Sequence, residues 1–323
     1  MIRYTPIHRG CSINTTITTL TMSPSVDLFG TTDRLVIEAK TRCRESSREP
    51  GGGGINVARN LEMLGDRVHA VFPAGGRNGH LLEAMLCQEA IPYDAIHVGS
   101  ETRQNLALTE TDTGRMFHLV FPSPALTRDE CQTCQNAARQ AMASAGYLVI
   151  SGSLPPGVPE DFYARLIEEA TAQSIRVVLD TSGAPLTAAL GRGIHLAKLN
   201  RKELAQLGYT GNWSPESQLE TMAQLVQKGA AENLVVTQGE QGALLATATG
   251  ERLRAVPPPV DVVSHVGAGD SFVALMVHSL KQGVSMTEAL AQGVAGAAAS
   301  ISTQGNRIRD QSHIKALLNR VSR

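Results

Sequence analysis

The sequence predicts an α/β fold with a mostly parallel sheet covered by helices on both faces. Three observations carry that expectation. From Arg67 onward, short β-branched apolar runs alternate with helical patterns. Two other segments, about 29–47 and 103–120, mix polar and apolar residues and read as exposed antiparallel strands, a small accessory sheet beside the core. Near the end, Val266-Gly267-Ala268-Gly269-Asp270 runs straight into the apolar helical stretch Ser271–Met276.

The chain has 323 residues, 42% hydrophobic and 18% charged, enough to bury a sizeable core. A net charge of −1 gives no general attraction to nucleic acid or to a membrane surface, so anion binding must come from local clusters. No apolar run reaches membrane-spanning length, and Met1–Asn14 lacks the apolar stretch of a signal peptide. A cytoplasmic protein is expected. Five scattered cysteines argue against a disulfide framework. Cys131 and Cys134 form a CxxC, but no second pair follows, and they read as solvated or half-buried residues of a helix opened by a Thr127/Glu130 capping box.

In chain order, residues 1–14 have no pattern and read as an extension without fixed structure. Thr15–Met22 is β-branched and reads as a strand. Asp27 follows just past it, either a turn residue or a ligand contact at a strand's carboxyl end. Leu35, Ile37 and Ala39 alternate with Val36, Glu38 and Lys40, so 29–47 is expected as exposed strand with a basic end. Pro50-Gly51-Gly52-Gly53-Gly54 then precedes an apolar helix to about Leu64. Glycine backbone can approach a ligand closely there, and Asn56 can bond hydroxyls. A dinucleotide fingerprint needs a strand directly before its glycines, and polar, charged Glu45–Pro50 does not read as one, which disfavours a nicotinamide cofactor. Asp112-Thr113-Gly114 reads as a hairpin turn. Strands are expected at 68–74, 147–150, 175–179, 194–199, 234–237 and 242–247. Helices are expected at 79–90, 128–145, 161–173, 214–229, 268–281 and 286–302.

The Gly267–Asp270 turn carries the chemistry. Its glycines let the backbone bend and approach a ligand, and the unpaired amides of the following helix form an anion cradle. A carboxylate beside that cradle can take a proton from a hydroxyl while the amides hold a phosphoryl group. The alternative is a helix cap at Asp270. No GxxxxGK[ST] loop occurs, so phosphates must be held another way.

GGGGINVAR and VGAGDSF resemble the two signatures of the ribokinase-like PfkB carbohydrate kinases. The resemblance runs from about Thr15 to the end as a single kinase domain, 15–323. SPSVD, EPGGGGINVAR, FPAGG, TRQN, ISGSLPPGV, TQGEQGAL and VPPPV point to the 6-phosphofructokinase branch. It implies a Rossmann-type three-layer core with a small β-sheet lid at 29–47 and 103–120. The implied activity is ATP-dependent phosphorylation of a sugar phosphate, fructose 6-phosphate first. Tagatose-6-phosphate kinase, 1-phosphofructokinase and a non-catalytic sugar-phosphate sensor are the alternatives.

The resemblance also implies roles. Asp270 would be the base, and the amides of Gly267, Ala268 and Gly269 would hold the transferring phosphoryl group. Asp27, Gly52, Gly53 and Asn56 would bind sugar hydroxyls, with Ser151 and Ser153 placed beside the substrate. Lys40, Arg42 and Arg103 would hold the phosphate that the sugar already carries; solvated edge-strand charges are the competing explanation. Lys198 and Asn200 would face nucleotide phosphates, Glu203 would hold Mg2+ through water, and Thr237, Gly239 and Gly242 would line the nucleotide site. Leu199 replaces the usual proline. His265 and Thr303 depart from the family in regions that form a monovalent-cation site, while Ser264, Gly305 and Arg307 fit, so K+ stays an open expectation. A homodimer joined through the lid is implied as well.

Overall fold

The computed structural model describes residues 16–323, so the extension expected at 1–14 lies outside the described residues. The core opens with β1 (Thr16–Leu20). The chain then leaves it to make β2 (Ser25–Thr32) and β3 (Arg44–Gly51), and returns through α1 (Gly53–Met63). β4 (Val68–Ala74), α2 (Gly76–Gln88) and β5 (Tyr93–His97) follow, and a second excursion makes β6 (Arg103–Glu110) and β7 (Met116–Leu119). Strict alternation then begins: α3 (Arg128–Met142), β8 (Ala145–Ser151), α4 (Phe162–Ala172), β9 (Arg176–Asp180), α5 (Gly183–Ala189), β10 (Leu196–Asn200), α6 (Arg201–Gln206), α7 (Pro215–Gln227) and β11 (Asn233–Thr237). The chain closes with β12 (Ala243–Thr247), β13 (Arg252–Ala255), α8 (Ala268–Lys281), α9 (Met286–Ile301) and α10 (Gln311–Leu318).

One nine-stranded sheet runs β13-β12-β11-β10-β9-β8-β1-β4-β5, parallel except for β12 and β13. Its central strands are apolar on both faces because both are covered. Leu148, Ile150, Val177 and Leu179 pack with α3, α4, α5 and α7 on one side. Tyr147, Val149 and Val178 pack with α1, α2, α8 and α9 on the other. The expected three layers are therefore present. β5, β13, α5, α6 and α10 have no counterpart among the expected elements; each is eight residues or shorter. Among the described residues no helix is long and apolar enough to cross a membrane.

The second sheet runs β3-β2-β6-β7, and the Asp112–Gly114 turn joins β6 to β7 as an antiparallel hairpin. Phe29, Ala107 and half-buried Met116 seat this lid on Val266, the residue before Gly267. The expectation for 29–47 is corrected in its middle. Residues 33–43 form a loop, not a strand. Glu110 Oε1 accepts from the Leu35 amide at 2.7 Å and Thr41 Oγ1 from the Val36 amide at 3.1 Å, so side chains take the amides a ladder would need. Glu38 has φ 58°, a turn conformation. Lys40 and Arg42 therefore do not alternate along a strand. Ile37 projects from this loop, 90% exposed.

A second correction concerns the glycines. A strand, β3, does run into them. It is an edge strand of the small sheet, antiparallel to β2, and its polar composition reflects a solvent-facing edge. It is not the central parallel strand that opens a dinucleotide-binding unit. The capping box at Thr127 and Glu130 is present, but Cys131 and Cys134 are buried, not solvated. Burial raises both thiols, that of Cys134 to about 12, which makes them inert packing groups.

Candidate active site

The register of the parallel sheet places the site. Ser151 lies opposite Asp180, and Asn200 opposite Thr237, all at carboxyl ends of strands. Ala197 pairs with Leu179, which sets Lys198 beside Asp180. Lys198 Nζ contacts both Asp180 oxygens, at 3.0 and 3.1 Å. Burial alone would lower this ammonium; Asp180, with Glu203 and Asp270 behind it, outweighs burial and holds it above its ordinary value.

Above this end of the sheet stands the N-terminus of α8. Gly267 has φ 78°, and a Cβ there would strike the Asn306 carbonyl, so the turn accepts only glycine. No side chain caps the helix. Asp270 instead accepts from Asn56 Nδ2 at 2.8 Å, with Ser151 Oγ at 3.5 Å from its other oxygen. The helix-cap alternative is thereby set aside, and the first-turn amides are left to a ligand. A Cβ on Gly53 would strike Ser151 Oγ and come within 3.1 Å of Asp270 Oδ1, so the glycine run brings backbone against the acid. Burial, with Asp180 reinforcing it and Asn56 and Lys198 opposing, pushes the Asp270 carboxyl up to about 7.

Asp27, on β2, is buried and accepts from Ser25 Oγ (2.7 Å), Asn105 Nδ2 (3.0 Å) and Asn306 Nδ2 (3.2 Å). Gly51 leaves room for its carboxylate, and Gly52, φ 108°, turns the chain into α1. Asn105, Asp180 and Asn306 were not among the residues expected from sequence. Asp180 carried a readable signal, an acid at a predicted strand's end; Asn306 carried none.

On the other flank, Asn200 and Glu203 form a reciprocal capping box, with Asn200 N donating to Glu203 Oε2 at 2.7 Å and Glu203 N to Asn200 Oδ1 at 3.0 Å. Burial raises the Glu203 carboxyl despite the Asn200 bonds. Thr237 donates to Leu199 O at 3.2 Å. Gly239 begins a short 3-10 turn, and Gly242 packs on the Ala255 carbonyl, which leaves no room for a side chain. Among the described residues no three His, Cys, Asp or Glu side chains converge as a metal cage. A single carboxylate suits Mg2+, which keeps most of its waters.

The remaining predicted residues make no hydrogen bond to Asp270. Ser153 is exposed and has no hydrogen bond among the described residues. Lys40 and Arg42 lie on the exposed 33–43 loop. Arg103 is half-buried and donates to Phe121 O (2.9 Å) and Ser23 O (3.1 Å). It lines a groove of about 540 Å³ with Leu28, Asn78, Asn105 and Phe121. A larger groove, about 670 Å³, opens at the other end of the sheet among Thr16, Asp66, His69 and Asp94 and holds none of the predicted residues.

The raised Asp270 carboxyl has a stability consequence. A carboxyl with a higher folded than unfolded value stabilises the fold at low pH and loses that contribution as pH rises toward 7. Moving from 3.8 to about 7 corresponds to at most about 4 kcal/mol. Asp270→Asn cannot ionise, so its stability relative to wild type should be higher at pH 8 than at pH 5, by about 2 kcal/mol. Chemical denaturation at the two values tests this; an equal difference at both would return Asp270 to the ordinary carboxylate range.

The chain is similar to known proteins in both sequence and fold. The profile of the pfkB family carbohydrate kinases matches residues 20–312. The ATP-dependent 6-phosphofructokinase isozyme 2 of Escherichia coli (strain K12) is 40% identical over 308 residues, 94% of this chain and 99% of that protein. The crystal structure of Escherichia coli phosphofructokinase-2 in complex with potassium superimposes with a TM-score of 0.89 at 38% identity, over 95% of this chain and 99% of that one. The complex of the same enzyme with fructose-6-phosphate gives 0.88 at 37%, over 96% and 100%. Signatures, fold and site geometry lead to one statement: the chain belongs to the pfkB family of carbohydrate kinases.

Proposed function

We propose that this chain is an ATP-dependent 6-phosphofructokinase, transferring the γ-phosphoryl group of ATP to fructose 6-phosphate. The observation that carries the reading is Asp270, a half-buried carboxylate raised to about 7, beside an uncapped helix N-terminus. Asp270 takes the proton of the sugar hydroxyl as its oxygen bonds to phosphorus and the bond from phosphorus to the β-phosphate oxygen breaks. The amides at Gly267–Gly269 receive the charge on the transferring group. Asn56 and Ser151 hold Asp270 in place, while Asp27 and the Gly52–Gly53 backbone orient the sugar. Lys198 and Asn200, with Thr237, Gly239 and Gly242, face the nucleotide. Mg2+, held through Glu203 and water, would neutralise phosphate charge. A potassium ion would sit where the 263–266 loop meets residues 301–307. The four free cysteines among the described residues suit the cytoplasm.

Asp270→Asn is expected to lower kcat by 10²–10⁴-fold, about 2.7–5.5 kcal/mol of barrier, while ATP still binds. A variant within threefold of wild type would remove Asp270 from the mechanism.

The phosphate already on the sugar is assigned to Arg103, Lys40 and Arg42. Arg103 is half-buried at a groove, which a merely solvated edge charge would not be. Lys40 and Arg42 are in no ion pair among the described residues. Losing one charge-assisted contact costs about 1.5–3 kcal/mol, so Arg103→Ala should raise the KM for fructose 6-phosphate about tenfold or more and leave that for ATP unmoved. Equal efficiency of wild type on free fructose would replace this reading with an unphosphorylated-sugar kinase.

A homodimer through the lid is proposed on the exposed Val36, Ile37, Leu119, Val120 and Phe121, an apolar surface of the small sheet and its loops. Ile37→Asp should shift sedimentation toward monomer and weaken sugar binding. A wild type that sediments as monomer at micromolar concentration would exclude it.

A further inference from the structure

Asn306, in the loop between α9 and α10, is fully buried. Its amide nitrogen donates to Asp27 Oδ2 at 3.2 Å and to Pro50 O at 2.9 Å. Its side-chain oxygen accepts from Arg59 Nη1 at 2.6 Å. A guanidinium can only donate and a carbonyl only accept, so the amide has one allowed orientation, nitrogen toward Asp27. Arg59 is itself fixed, bonding Glu89 at 2.7 and 2.8 Å and Glu49 at 3.3 Å. The backbone carbonyl of Asn306 fills the space a Cβ on Gly267 would need. One residue therefore holds the acid of the small sheet with its side chain and abuts the phosphoryl-binding turn with its backbone.

We infer that Asn306 is a positioning residue for sugar-phosphate binding, aiming the Asp27 carboxylate from the side opposite Ser25 and Asn105. This rests on the reading that Asp27 binds the sugar. If Asn306 served only to satisfy Arg59, aspartate would serve at least as well, since a carboxylate is the stronger acceptor for a guanidinium. Toward Asp27 the same change has the opposite effect. It removes the donor and sets two carboxylates face to face. The charged groups around the position are Asp27 from β2, Glu49 from β3, Arg59 from α1, Glu89 after α2, and Arg307 and Arg309 from its own loop.

Asn306→Asp is the discriminating variant, assayed with ATP and fructose 6-phosphate and checked by thermal unfolding. The expected result is a folded enzyme whose KM for fructose 6-phosphate is tenfold or more above wild type, with the KM for ATP within twofold. A folded variant with an unchanged KM for the sugar phosphate overturns the proposal. Should Asn306→Asp not fold, Asn306→Ala is measured in the wild type and in Asp27→Asn. Its effect on that KM should shrink from about tenfold to under threefold when Asp27 is neutral; equal effects in both backgrounds overturn it. Asp27→Asn alone separates the two claims. If it leaves the KM unmoved, the sugar-binding reading of Asp27 falls and the inference with it. If it raises the KM while the Asn306 variants do not, only the positioning role is lost.

Discussion

Gathering like charges in a half-dry place is the constraint on which this site depends. Asp27, Asp180, Glu203 and Asp270 all converge at one end of the parallel sheet, and Lys198 is the ammonium among them. Lys198 is committed to Asp180 through both carboxylate oxygens. Burial and the Asp180 charge raise the Asp270 carboxyl, and the neutral amide of Asn56 and the Lys198 ammonium only partly offset them. A base poised near neutrality takes a proton with little driving force to spare, which is where general-base catalysis works best. The Asp180–Lys198 ion pair is thus part of what sets the Asp270 carboxyl.

The two sheets divide the work. The nine-stranded sheet delivers Ser151, Asp180 and Lys198 by register, so their spacing is as rigid as the ladder itself. The small sheet delivers Asp27, Asn105 and Arg103 on β2 and β6, which pair in parallel from Ser25 to Thr32. The two are linked by short, specific contacts: Val266 under Phe29 and Ala107, and Asn306 between Asp27 and Gly267. The Gly267–Asp270 turn is therefore touched from both sides.

What the sequence made legible was whatever is local. The strand–helix alternation, the glycine run, the Gly267–Asp270 turn and the Thr127/Glu130 capping box each lie within a few residues, and each is present as read. What it left hidden depends on distance in the chain. Asn306 meets Asp27 across 279 positions, and no short pattern announces that. The 33–43 loop resembles a strand in sequence because its alternation is real, but it has no partner strand; Glu110 and Thr41 claim its amides instead. Polar Glu45–Pro50 does not read as the strand before the glycines because an edge facing solvent has no hydrophobic alternation to show.

Among the described residues four acids stand at the third position of a helix: Glu130 in α3, Glu203 in α6, Asp270 in α8 and Glu288 in α9, the last paired with Arg323. The first two turn back to cap, because Thr127 and Asn200 offer the reciprocal partner. The third has Gly267 at the cap position, with no side chain to pair, and its backbone is already bent to φ 78°. Asp270 is also a methylene shorter than glutamate, which limits its reach back to the cap amide. Freed from the helix, its carboxylate turns to Asn56 and Ser151, and the helix keeps its first-turn amides unclaimed. The same helical position turns back on the helix where the cap is Thr or Asn and away from it where the cap is Gly. That single difference, readable in four residues, separates the Asp270 carboxylate from the two capping ones.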